Sequence, residues 1–260
     1  MLMISFFRRL PRLFQVDQSI PVELADNFRH YYWDITWYGL LNGTVLSFLN
    51  YFAVRMGATS TQVGIITAIP AVVSLFLALP AGVILQRHSV NHATFITAVM
   101  SRVFYLVFIL LPFVKSSEWV ISLIMLVTLI MTIPAVFSNV GFNTSFAMNI
   151  PDHYRAHVAG VRNAAFAIVT IFVSLLSGII LDVVKFPYGY AIVFAIGFIG
   201  SLLSAYHLYK LKAVSLETPA IAPVEAILEQ SDGAGTSKVN ESSGIFKDFI
   251  RLDLIKGQNG

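Results

Sequence analysis

Residues 63–85 read VGIITAIPAVVSLFLALPAGVIL, running from Val63 to Leu85 without a charged side chain. A helix needs roughly 20 predominantly apolar residues to cross the hydrocarbon core of a bilayer, so this stretch is long enough to span it. A second uncharged run, from Trp119 to Met148, is longer still. Neither could stand in water as a solvated element. The composition agrees: 57% of the 260 residues are hydrophobic and 12% charged, where a soluble domain carries about 25% charge.

Windows of the same kind recur six times, at about 33–54, 62–86, 92–114, 119–148, 160–182 and 187–210, predicting an all-α, polytopic membrane protein with six transmembrane helices. Lys and Arg beside the spans set the orientation. Arg29, Arg87, Arg155, Arg162, Lys210 and Lys212 fall on one side, and Arg55, Lys115 and Lys185 on the other. The richer side is the cytoplasmic one, so both termini are expected there. The net charge of +3 is thus explained by topology, and no nucleic-acid partner is predicted. Tyr31, Tyr32, Trp33, Trp37 and Trp119 lie at expected boundaries, as interfacial aromatics do.

Outside the spans, 1–32 reads as a cytoplasmic N-terminal segment. Phe6, Phe7, Leu10, Leu13 and Phe14 share one helical face opposite Arg8, Arg9 and Arg12, the pattern of a short helix lying on the leaflet rather than of a cleavable signal. Residues 213–260 read as a flexible linker rich in acids, Gly and Ser. Within it, after Gly244, comes an amphipathic stretch, Ile245 to Arg251. That ending predicts continuation into a further membrane bundle.

Offsetting the sequence by 96 residues lays the second span over the fifth without a gap: Gly64 falls on Gly160 and Gly82 on Gly178. Both spans then carry small residues at spacing four, Ser74, Ala78 and Gly82 in one and Thr170, Ser174 and Gly178 in the other. Such ladders let helix backbones approach closely in lipid, so both are expected at helix contacts. The two spans run in opposite directions, which predicts a 3+3 inverted repeat of the sort that builds secondary transporters.

These features resemble the N-terminal six-helix half of the major facilitator superfamily. Its loop between the second and third helices begins Gly-x-Leu-Ala-Asp-Arg. Here the matching stretch starts at Gly82 and reaches Gln86 and Arg87, so the glycine and the arginine are kept and the aspartate is not. The stretch from Pro151 through Arg155 to Gly160 and Arg162 is similar to the family's loop between the fourth and fifth helices. The resemblance implies transport of a small solute by alternating access in the cytoplasmic (plasma) membrane, with a C-terminal six-helix half or a second copy completing the molecule. It also makes Gly82, Arg87, Arg155, Gly160 and Arg162 candidates for cytoplasmic gating. The competing reading is a self-contained six-helix scaffold or membrane-embedded enzyme acting as a homo-oligomer.

Polar side chains within a span are expected to face the bundle interior. Asn42 and Asn50 in the first span, and Asn139 and Asn143 in the fourth, are candidates for a substrate cavity, since the resemblance places those helices along it. The alternative is that each forms an ordinary interhelical hydrogen bond. Arg102, about ten residues into the third span, is the most anomalous residue. It could contact an anion or substrate, or it could pair with helix-end carbonyls or extend toward the cytoplasm. Asp34 is placed in the first turn of the first span, where it could cap the helix or act in coupling.

No cysteine occurs, which excludes disulfides and thiolate metal sites. His88 and His92, and His153 and His157, have i, i+4 spacing without the acid arrangement of a metalloprotease motif. No nucleotide or nucleophile-elbow motif is present, so no enzyme activity, metal or cofactor is expected.

Overall fold

The computed structural model describes residues 22–212, which form helices joined by short connections. They are α1 (Val22–Leu41), a π-helical turn (Asn42–Leu46), α2 (Ser47–Arg55), α3 (Ser60–Leu85), α4 (Val90–Val103), α5 (Tyr105–Leu110), a 3₁₀ turn (Leu111–Phe113), α6 (Ser117–Asn149), α7 (Asp152–Val183) and α8 (Tyr188–Tyr209). The expected surface helix near residues 6–14 and the linker at 213–260 lie outside the described residues.

Among the described residues, five helical segments are long and apolar enough to cross a membrane: Ser60–Leu85, Val90–Phe113, Ser117–Asn149, Asp152–Val183 and Tyr188–Tyr209. Their ends fall close to five of the six expected windows, except that α7 begins at Asp152 rather than 160, directly after Pro151. The first window is not among the five. It lies on the run α1–π–α2, which Asn42, Thr44, Ser47 and Asn50 make more polar. That run also starts at Val22 rather than 33, so Asp34 sits well inside α1 and not in a first turn.

Local chemistry explains the breaks. At the end of α2, Gly57 has φ +92°, a left-handed conformation that costs glycine nothing. Its N–H bonds to the Val54 carbonyl, and the Ala58 N–H bonds to the Ala53 carbonyl, the paired pattern of a Schellman termination. Two residues after Gly57, Thr59 forms with Gln62 a reciprocal capping box that opens α3.

Two helices are wedged between others. α1 packs on α7 and α8, and α6 packs on α3 and α4. Glycines permit the close approach. A Cβ at Gly43 would lie 2.8 Å from the Thr170 carbonyl oxygen and 2.9 Å from the Val173 Cβ on α7. A Cβ at Gly200 would lie 2.7 Å from the Leu40 Cβ and 2.9 Å from the Trp37 carbonyl oxygen on α1. Gly141 on α6 is pressed against Thr94 of α4 in the same way.

The small-residue ladders of the second and fifth spans do not serve this purpose at their glycines. A Cβ at Gly82, Gly178, Gly64 or Gly160 would meet nothing within 4 Å. α3 and α7 instead carry broad exposed apolar faces, including Leu75, Phe76 and Leu79 on one and Phe172, Leu175 and Leu176 on the other. Only 11% of the apolar window of each is buried, against 50% for α8.

The interior divides into two apolar clusters. One gathers Leu41, Val45, Phe52, Phe108, Ile124 and Phe194; the other gathers Phe28, Tyr31, Tyr32, Ala98, Val158 and Leu208. Along α1 the second ends at Tyr32 and the first begins at Leu41. Asp34 falls in the interval.

Candidate functional site

In that interval four helices bring together a buried ionic cluster. Asp34 on α1, Arg102 on α4 and Ser204 on α8 are all buried, with Arg162 on α7 at their edge. The Ser204 hydroxyl donates to Asp34 Oδ1 at 2.5 Å and accepts from Arg102 Nη2 at 2.9 Å. Serine, with one donor and two lone pairs, can bridge a carboxylate and a guanidinium in this way. Arg102 Nη2 itself is 4.0 Å from Asp34 Oδ1, and Arg162 Nη2 is 3.7 Å from Asp34 Oδ2.

Arg102 therefore reaches neither helix-end carbonyls nor the cytoplasm, as one reading of the sequence allowed. It pairs across the bundle with groups far along the chain. Its Nη1 is buried without a hydrogen-bond partner. Arg162 is held differently: its Nε donates to the Tyr31 carbonyl at 3.3 Å, and its guanidinium carbon lies 4.3 Å from the ring centre of Phe142 and 5.4 Å from that of Phe146. A planar cation over an aromatic face is attracted by the ring quadrupole and loses freedom to rotate.

The cluster opens onto a cleft of about 190 Å³, lined by Asp34, Ile35, Tyr38, Arg102, Ser138, Asn139, Phe142, Arg162 and Leu208. Of the four candidate asparagines, Asn139 lines this cleft, whereas Asn42, Asn50 and Asn143 do not. Asn50 donates to the Thr67 hydroxyl on α3 at 3.2 Å, an interhelical bond elsewhere in the bundle. Asn143 is exposed on α6 and Asn42 opens the π-turn. Asp34 and Arg102, singled out from sequence, both belong to the buried ionic cluster. Tyr38 and Ser204 were missed. Ser201 and Ser204, three apart within an otherwise apolar span, carry the same signal that drew attention to the asparagines.

The gating candidates separate. Arg162 belongs to the cleft rather than to a loop. Arg155 secures the end of α6, donating to the carbonyls of Ile150 and Ala147 while pairing with Asp152 at 2.6 Å. Arg87 and Gly160 are exposed, and Gly82 is partly so.

A second polar network closes one end of the bundle. The Asn91 side-chain oxygen accepts from Ser145 at 2.6 Å and from Asn149 at 3.3 Å, and Asn149 also donates to the Tyr31 hydroxyl at 3.3 Å. These contacts tie α1, α4 and α6 together. Nearby, the Nδ1 atoms of His30 and His207 lie 3.0 Å apart, so one ring donates to the other.

Comparison with curated proteins gives no match to this sequence. The family model of the Major Facilitator Superfamily matches residues 36–250, a range that takes in all five apolar segments and the cleft residues from Tyr38 onward, though not Asp34 and Ile35. The chain therefore belongs to the Major Facilitator Superfamily, and is an integral membrane transporter of that family.

Proposed function

We propose that this bundle moves a small solute across the cytoplasmic (plasma) membrane by alternating access, with the Asp34–Arg102–Arg162 cleft as its binding site. The observation that carries this reading is the buried ionic cluster itself. Charged side chains are expensive inside a membrane protein and are retained where they pair with one another or line a substrate path. Here Asp34 lies within 4.0 Å of both guanidinium groups, and all three charged groups line a cleft to which α6 adds Ser138 and Asn139.

In this reading the run α1–π–α2 is the first of six spans, the spans form two inverted triplets, and both termini are cytoplasmic. The packing supports it, since α1 sits against two helices of the later triplet and α6 against two of the earlier one. Exchanged partners of this kind are what a pseudo-two-fold axis in the membrane plane would generate. The exposed faces of α3 and α7 are where a second bundle, covalently continued or a separate copy, would pack and complete the transport path.

Absence of cysteine makes a direct test simple. Asn139→Cys, the sole thiol in the protein, is expected to react with a membrane-impermeant maleimide from either face of oriented vesicles, because alternating access exposes a midplane site to each side in turn. Labelling from one face only would sink the proposal.

A further inference from the structure

We infer that the solute is a small oxyanion, carrying a carboxylate or phosphoryl group, received between Arg102, Arg162 and Asn139; the inference rests on the transport reading of the same cleft. Charge is the first argument. Two guanidinium groups and one carboxylate line the cleft, and its other lining residues are uncharged. The cluster is left with one positive charge, which the bundle interior does not solvate as water would. A bound anion supplies the missing charge.

Geometry is the second argument. Charge-assisted N–H···O contacts run at about 2.7–2.9 Å, and the chain makes them at its surface, where Arg29 meets Asp26 at 2.8 Å and Arg155 meets Asp152 at 2.6 Å. In the cleft the same kinds of group stand 4.0 and 3.7 Å apart. Asp34 directs its short contact to Ser204 instead, so neither guanidinium is consumed by it. Arg102 Nη1 is buried with no partner at all, and an unpaired charged donor carries a larger penalty than a neutral one.

The remaining walls suit the same ligand. A guanidinium presents its donors as a flat fork that matches the two oxygens of a carboxylate or phosphoryl group. Stacking on Phe142 fixes the plane of Arg162. The Asn139 amide and the Tyr38 hydroxyl offer neutral donors at the cleft wall. About 190 Å³ is the space of roughly six waters at ~30 Å³ each, enough to seat a carboxylate or phosphoryl group. A cation would find one carboxylate, Asp34, already engaged by Ser204 and facing two arginines.

The test is thermal unfolding of the purified full chain in detergent, followed by tryptophan fluorescence. Sodium phosphate, acetate and succinate are titrated against sodium chloride and choline chloride at matched ionic strength. A saturable rise in Tm with an oxyanion, absent with chloride and choline, is expected. A phosphate-only response assigns a phosphoryl group, and a response to acetate or succinate assigns a carboxylate. Arg162→Gln is expected to weaken the apparent Kd by about tenfold or more, the loss of one charge-assisted pair.

Should that variant not fold, Asn139→Ala, at an exposed position, is expected to weaken the Kd in the same direction. A response to choline alone, no oxyanion response, or responses unchanged in both variants would overturn the inference. Its failure is separable from failure of the transport reading. Two-sided labelling of Asn139→Cys without an oxyanion response leaves a transporter of some other solute. Oxyanion binding with one-sided labelling leaves an anion site and removes the transport mechanism.

Discussion

Asp34→Asn is expected to destabilise the protein by about 3–5 kcal/mol, the usual cost of removing one partner from a buried ion pair and leaving the other charged. The side chains of Asp34 and Arg102 are each only 7% exposed, so water cannot take over from the lost carboxylate. Both guanidinium groups would then lose the carboxylate that each of them approaches. Adding Arg102→Met removes the charge that the first substitution stranded. The double variant should therefore recover a large part of the loss, giving a coupling of ~1–3 kcal/mol in a double-mutant cycle. Thermal or denaturant unfolding of the four proteins in one detergent measures this. Strictly additive losses would show that Asp34 and Arg102 do not interact, and the ionic cluster would lose its meaning.

Gly43→Ala should cost ~1–3 kcal/mol, the range found when a methyl group is forced into a filled interior. The atoms it would strike include the Thr170 carbonyl oxygen at 2.8 Å and the Ser174 backbone nitrogen at 3.1 Å. Backbone cannot turn aside as the tip of a side chain can, so α1 and α7 would have to separate. A larger residue, as in Gly43→Leu, should prevent assembly. The control is Gly82→Ala or Gly178→Ala, where a Cβ meets nothing within 4 Å. There the loss of glycine's excess freedom in a helix should leave stability unchanged or raise it by roughly 0.5–1 kcal/mol. Equal effects at Gly43 and Gly82 would contradict the packing described above.

That contrast shows what was and was not legible in the amino-acid order. Hydropathy located the apolar segments because lipid demands length and apolarity whatever the neighbours are. It could not tell which face of a span meets protein, because lipid and helix interior accept the same side chains. The glycines at 82 and 178 looked like contacts and are not, whereas those at 43, 197 and 200 are. The start of α1 was set eleven residues late, since Asn27, Arg29 and His30 read as residues outside the membrane. Asn27 in fact exchanges two hydrogen bonds with the backbone of Lys212, and Phe28 and Tyr31 are buried beside it.

Arg102 announced itself as a charge in an apolar run. Its partners did not, because Ser204 is 102 residues away and becomes visible only once the helices are assembled. Arg162 is expected in the first turn of a span opening at 160, beside a loop that contains Pro151 and Arg155. α7 begins at Asp152, so Arg162 lies nearly three turns into the helix.

The wedging of α1 between α7 and α8, and of α6 between α3 and α4, works like a dovetail joint. Each end of the sequence lends a helix to the other's core, so a chain severed near Lys115 would yield two pieces that each lack the partner surface their central helix needs. Neither piece could become a stable body before meeting its complement. Once locked, neither could slide without breaking the close contacts of Gly43 with the α7 backbone and of Gly141 with the Thr94 side chain. Under the proposed alternating access, this unit would move as one lever.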